Sequence, residues 1–164
     1  MSITESPSQP ELTSETIRRL ERRLALRVLA LWRDVRGDQV YASPEDINPH
    51  RLGNMWPHCF LLRLNPDGEP IVEQCGDALT ADCGRAIVNL PLSEVPSHSL
   101  LHNAAHSWRY VETRQVPVTR GGDVENVQGA IVLFRSVLIP LSTNQHLITH
   151  MLGAVNGRIA GGGV

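Results

Sequence analysis

The segment that most restricts this chain is residues 129–141, GAIVLFRSVLIPL. Its β-branched and aromatic residues suit a strand, where successive side chains point to opposite faces. Taking Arg135 as outward puts Ile131, Leu133 and Val137 on that outer face, and Val132 and Phe134 on the other. Both faces are therefore apolar. An antiparallel sheet with one face in water carries polar residues there, so this one needs cover on both sides.

Residues 13–36 supply a cover. Ile17, Leu20, Leu24, Val28, Leu31 and Val35 recur at steps of three and four, the pattern of an amphipathic helix, and Trp32 widens the stripe. Arg19, Arg23 and Arg27 form one polar row, Arg18 and Arg22 another, and Gly37 supplies a stop. The cover comes from the same chain or from a second copy. Residues 1–12, MSITESPSQPEL, hold too little apolar surface to offset the entropy of ordering and are expected to be a tail. A length of 164 residues fits one domain at roughly 100–200 residues per domain. The expected division is a tail over 1–12, a lead helix over 13–36, one domain over 37–157 and a second tail over 158–164.

Within the domain, SPEDINPH (residues 43–50) predicts a short helix with Ser43 as cap, Pro44 in the first helical position and Asp46 closing a capping box, limited by Pro49. CFLLRL and IVEQCG are predicted strands around the turn NPDGEP, with Asn65 and Gly68 at the bends. Residues 78–85 and 92–95 are predicted as single helical turns. A longer helix follows Ser97, because Leu101, Ala104, Ala105, Trp108 and Val111 share one face. RQVPVTR, residues 129–141 and HLITHMLGAV are the last three predicted strands.

SHSLLHNAAHSW places His98, His102 and His106 four apart in that helix. Imidazoles so spaced can share a metal ion. No carboxylate or thiol nearby in sequence completes a set, and the row runs from the edge of the core face toward solvent, so it predicts a wet helix edge and no metal site. His146 and His150 are weighed in the same way. GGDVE, residues 121–125, is similar to the signature loop of diguanylate cyclases but lacks its acidic-aromatic ending, and predicts a hairpin turn. The basic row in RRLERRLALR could meet phosphate or an acidic partner, but with Glu21 among its charges it predicts the wet face of the lead helix.

No G-x-S-x-G, H-E-x-x-H, P-loop or G-x-G-x-x-G is present, so no reaction is indicated. Cys59, Cys75 and Cys83 are odd in number and form no C-x-x-C, which suits reduced thiols in a cytoplasm rather than disulfides or zinc. A net charge of -2 gives no general attraction for nucleic acid or an anionic membrane. No apolar run reaches the ~18 residues of a membrane span, and the N-terminus lacks the charged start and apolar run of a signal peptide. All 15 basic residues are Arg, as high-GC bacterial genomes favour.

A hairpin, short helical turns, a longer helix and three antiparallel strands is the order of a PAS domain. The chain resembles a subfamily of bacterial PAS domains with a helical lead, over residues 28–156. The residues that carry this are Trp32-Arg33 with Gly37, Pro44, Asp46-Ile47-Asn48-Pro49, Pro57 before CFLLRL, Gly76, Leu79, Gly84-Arg85, Leu138 with Pro140-Leu141, and Leu152-Gly153. Asn48 and Arg63 depart from it, standing where the subfamily tends to have acidic residues.

The resemblance implies an α+β fold: a five-stranded antiparallel sheet with helices on one face and an N-terminal amphipathic lead helix. It implies a non-enzymatic sensory or regulatory module that acts through protein–protein contact on a signalling partner, with a small ligand in an inner cavity. The alternatives are a sensor with haem or another cofactor, because haem-binding PAS domains take a proximal His from the helix matching residues 97–112, and a small enzyme. DCGR, residues 82–85, only loosely echoes the flavin-binding Asn-Cys-Arg-Phe stretch. No cofactor is expected to be needed for folding, since the apolar content sustains a core alone.

Outward Arg63 and Arg135 turn Phe60, Leu62, Val132 and Phe134 inward, toward Leu101, Ala105 and Trp108, and these seven are the candidate pocket. The lead helix is long enough to overhang its own sheet. A homodimer is expected, with Ile17, Leu20, Leu24, Val28, Leu31, Ile131, Leu133 and Val137 in the interface.

Overall fold

The computed structural model describes residues 14–161, with side chains from Arg23 onward. Residues 1–12 lie outside the described residues, and Ile17 and Leu20 outside the described side chains. Helix α1 (Ser14–Arg36) follows the three-and-four spacing. Leu24, Ala25, Val28, Leu29 and Trp32 are buried, while Leu31 and Val35 pack half-buried beside them. Gly37, at φ +56°, ends the helix in the left-handed conformation and donates its N–H to the Arg33 carbonyl at 3.0 Å.

Five strands form one antiparallel sheet: β1 (Cys59–Arg63), β2 (Ile71–Cys75), β3 (Val118–Glu125), β4 (Ile131–Leu141) and β5 (His150–Ile159), in the order β2-β1-β5-β4-β3. One layer of core lies on the outer face, where α1 covers Cys59, Leu61, Val137, Ile139, Leu141, Leu152 and Ala154. The helix that the two-sided strand requires thus comes from its own chain.

On the inner face, α3 (Asp77–Cys83), α4 (Leu100–Ala105) and α5 (Trp108–Arg114) pack over Phe60, Leu62, Val72, Phe134, Leu138, Met151 and Val155. Gly153 admits the Phe60 ring to this layer: a Cβ there would stand 2.0 Å from Phe60 Cζ. Gly76 is as tightly placed, since a Cβ would stand 2.1 Å from the Trp56 carbonyl oxygen.

Four local expectations are corrected. Residues 43–47 form a turn, with the Ser43 carbonyl accepting from Asp46 and Ile47, and the short helix α2 starts later, at Pro49–Leu52. Asn48 caps it by accepting the Arg51 N–H at 2.9 Å, and Pro49, which has no N–H to leave unpaired, occupies the first turn.

The single helix expected after Ser97 is two, because Arg120 donates to the Asn103 carbonyl at 3.0 Å and the chain turns at His106 and Ser107. GGDVE lies within β3 rather than at a turn. Gly121 and Gly122 face Arg135 and Phe134 across the ladder, and a Cβ at Gly122 would meet the Phe134 ring at 3.0 Å. The hairpin turn falls at residues 126–130, where the Asn126 side chain accepts from the N–H groups of Gln128 and Ala130. The last strand is displaced toward the C-terminus: residues 142–149 are a loop, and β5 continues to Ile159, past the boundary at 157.

Candidate functional site

At the end of the sheet where β1 leaves and β5 enters, pairing of Arg63 with His150 sets Leu64 beside Thr149, and the Leu64 N–H bonds the Thr149 carbonyl at 2.9 Å. The β1–β2 turn, the β4–β5 loop and α5 meet there around a cleft of about 420 Å3. Leu64, Pro66, Trp108, Leu147 and Ile148 are its apolar walls, and Asn65, Arg109, Glu112, Gln115 and Thr149 its polar ones. Leu64, Trp108 and Ile148 also pack against the inner core, so the cleft is floored by the core's own rim. Its volume is within the range of small-molecule sites.

A second cleft, of about 380 Å3, adjoins it across Trp108 and Arg109 and is lined by Glu69, Leu92, Ser93, His102 and His106. The Arg109 guanidinium stacks on the Trp108 ring at 4.5 Å between the two. The Glu69 carboxylate is engaged by Ser93, which donates its backbone N–H to one oxygen and its hydroxyl to the other.

Of the seven candidate pocket residues, Phe60, Leu62, Leu101, Ala105 and Phe134 are buried together in the inner core. Trp108 is half-buried in the cleft wall, and Val132 is half-buried in β4. Of the eight proposed for an interface, Leu24, Val28 and Val137 are buried within one chain. Leu31 and Leu133 are half-buried, and Ile131 is exposed. Of the other residues of the first cleft, only Asn65 and Gly68 were singled out in the sequence, and then as turn formers. Those of the β1–β2 turn and the β4–β5 loop are brought together by the β1–β5 register, while Arg109 and Glu112 come from α5.

The histidine row does not survive as one surface: His98 is in the turn before α4, His102 within it and His106 after it. His102 and His106 share the second cleft, and burial first, then the charge of His106, lowers the His102 pKa. His146 lies in the β4–β5 loop, while His150 in β5 contacts Glu73 at 3.5 Å. Among the described residues no three His, Cys, Asp or Glu side chains converge as metal ligands.

Asp82 caps α4 by accepting the Leu100 N–H at 2.7 Å, and Cys83 is buried in the inner core. Burial pushes the Cys59 thiol up to about 12 and the Cys83 thiol up to about 11, and raises Cys75 as well, so the thiols stay protonated. Arg63, one of the departures noted above, pairs with Glu73 on the neighbouring strand at 3.4 Å.

The chain belongs to the PAS domain family, whose model matches residues 21–156. Membership places it among sensory domains in general. Among curated proteins none matches. The fold is similar to several solved structures. A light-oxygen-voltage domain studied with a flavin analogue has 11% identity, a TM-score of 0.45 and coverage of 61% of this chain and 76% of that one. VqmA bound to DPO has 15% identity, a TM-score of 0.48 and coverage of 61% and 51%, so about half of that chain is spanned. The PAS domain of the fruit-fly ELK potassium channel has 10% identity, a TM-score of 0.47 and coverage of 65% and 90%. Among the described residues no helix is long and apolar enough to cross a membrane.

Proposed function

We propose that this domain is a non-enzymatic sensory or regulatory module of the cytoplasm that takes a small, mainly apolar ligand in the cleft beside Trp108 and signals to a protein partner through α1. The observation that carries the reading is the cleft floor: Leu64, Trp108 and Ile148 belong both to it and to the inner core, so an occupant bears directly on core packing. A ligand that favours one packing shifts the population toward it. Thiols held protonated by burial, full at Cys59 and Cys83 and partial at Cys75, argue against an activated cysteine nucleophile, and three free cysteines suit a reducing compartment. The test is native mass spectrometry of the protein purified from cells, with and without Leu147→Trp, which fills the cleft from its exposed rim. A co-purifying small compound lost from the variant supports the site; equal occupancy in both proteins places the ligand elsewhere.

The domain is further proposed to be a homodimer through the α1 side of the sheet. With Leu24, Val28 and Val137 spent on their own chain, the contact rests on Leu26, 56% exposed, and Ile131, 43% exposed. Light scattering should give a dimer that Leu26→Asp with Ile131→Asp reduces to a monomer. A monomer at tens of micromolar, or a dimer indifferent to both charges, refutes this.

A further inference from the structure

We infer that the β4–β5 loop, residues 142–149, is a stiff relay between the cleft and α1, and that Gln145 is the residue that couples them. The input end rests on the ligand reading above; the mechanical link does not. One end of the loop is cleft wall, where Leu147, Ile148 and Thr149 stand and Ile148 packs on the inner core. The other end grips the strap that follows α1. Gln145 Oε1 accepts the Tyr41 N–H at 3.1 Å, and its Nε2 donates to the Tyr41 carbonyl at 2.8 Å. The carboxamide thereby pairs both main-chain groups of Tyr41, as a neighbouring strand would.

Between its ends the loop is cross-bonded too closely to absorb a displacement. Ser142 is fully buried, and its hydroxyl oxygen accepts the N–H groups of Asn144 at 3.1 Å and Gln145 at 2.9 Å. Asn144 Oδ1 accepts those of His146 at 2.8 Å and Leu147 at 3.0 Å, and Thr149 Oγ1 accepts that of Thr143 at 3.0 Å. Such side-chain to backbone bonds hold a turn in one shape. The Ser142 N–H, bonded to the Ala42 carbonyl at 3.1 Å, ties the base of the loop to the same strap. Gln145 itself sits at φ +67°, a conformation that costs a residue with a side chain, and in it the carboxamide reaches Tyr41.

The test needs no ligand. Labelling with 5-fluorotryptophan gives three resonances; Trp56 is assigned by its loss in Trp56→Phe, and of the other two Trp32 reports on the buried face of α1 and Trp108 on the cleft wall. Ile148→Ala, which reshapes that wall, should shift both resonances. Gln145→Gly removes the carboxamide while suiting φ +67°, so the fold is kept; Gln145→Asn also tolerates that conformation but is one methylene too short. In either background Ile148→Ala should still move Trp108, while its effect on Trp32 falls to about a third or less of its former size. Exchange of the Tyr41 amide should rise about tenfold, as loss of one hydrogen bond allows. A Trp32 shift of undiminished size in the Gln145 variants, or none in the otherwise unaltered protein, overturns the relay. Neither outcome bears on ligand binding, which the mass measurement decides.

Discussion

His102 stands half-buried in the second cleft, next to the imidazole of His106, in a lining whose one carboxylate, Glu69, is held by Ser93. The folded site resists a proton that the unfolded chain accepts near pH 6.5. Each step down in pH through that value and on through the lowered folded pKa therefore favours unfolding. Stability should be at its full value above about pH 6.5, decline below it, and decline less in His102→Gln. A histidine titration by NMR with the His102 midpoint at or above 6.5 contradicts this.

At the same scale, the polarity of single residues was legible in the sequence where strand parity governs. Phe60, Leu62 and Phe134 face inward as the outward arginines require. What parity cannot carry is close approach. That Gly153 exists to admit the Phe60 ring, and Gly122 to admit Phe134, depends on which strands are neighbours.

Among the elements, α1 was the most legible because its stripe repeats over the whole length. A helix so rich in charge is marginal in water, and its stability comes from the face it buries. Val28, with no exposed surface, is the sharpest probe of that face. Val28→Ala should cost about 1–3 kcal/mol in a urea titration, with the slope unchanged. A loss under about 0.5 kcal/mol, ordinary for surface sites, would mean that α1 does not cover the sheet.

The elements misread in the sequence fail for tertiary reasons. The periodicity of residues 97–112 is continuous, yet the Arg120 guanidinium, from a strand later in the chain, takes the Asn103 carbonyl where the helix ends. GGDVE has turn composition, but its glycines are used for the bulk opposite them, and Asn126 makes the turn.

For the whole molecule, one strand apolar on both faces already requires a sheet covered on both sides, and the structure meets that demand with α1 outside and α3, α4 and α5 inside. The candidate site was less legible. Its inner-facing residues form a packed core, while the cleft is assembled from the β1–β2 turn, the β4–β5 loop and α5, segments far apart in sequence whose meeting is set by strand register. Of the seven candidate pocket residues, Trp108 is the one that also lines the cleft. The central claim, that this cleft is where the domain senses, is tested most directly by soaking crystals with a library of small fragments and locating each in density. The account predicts that they gather beside Trp108 and Ile148. Fragments seated between Phe60 and Phe134, with the cleft left to solvent, would contradict it.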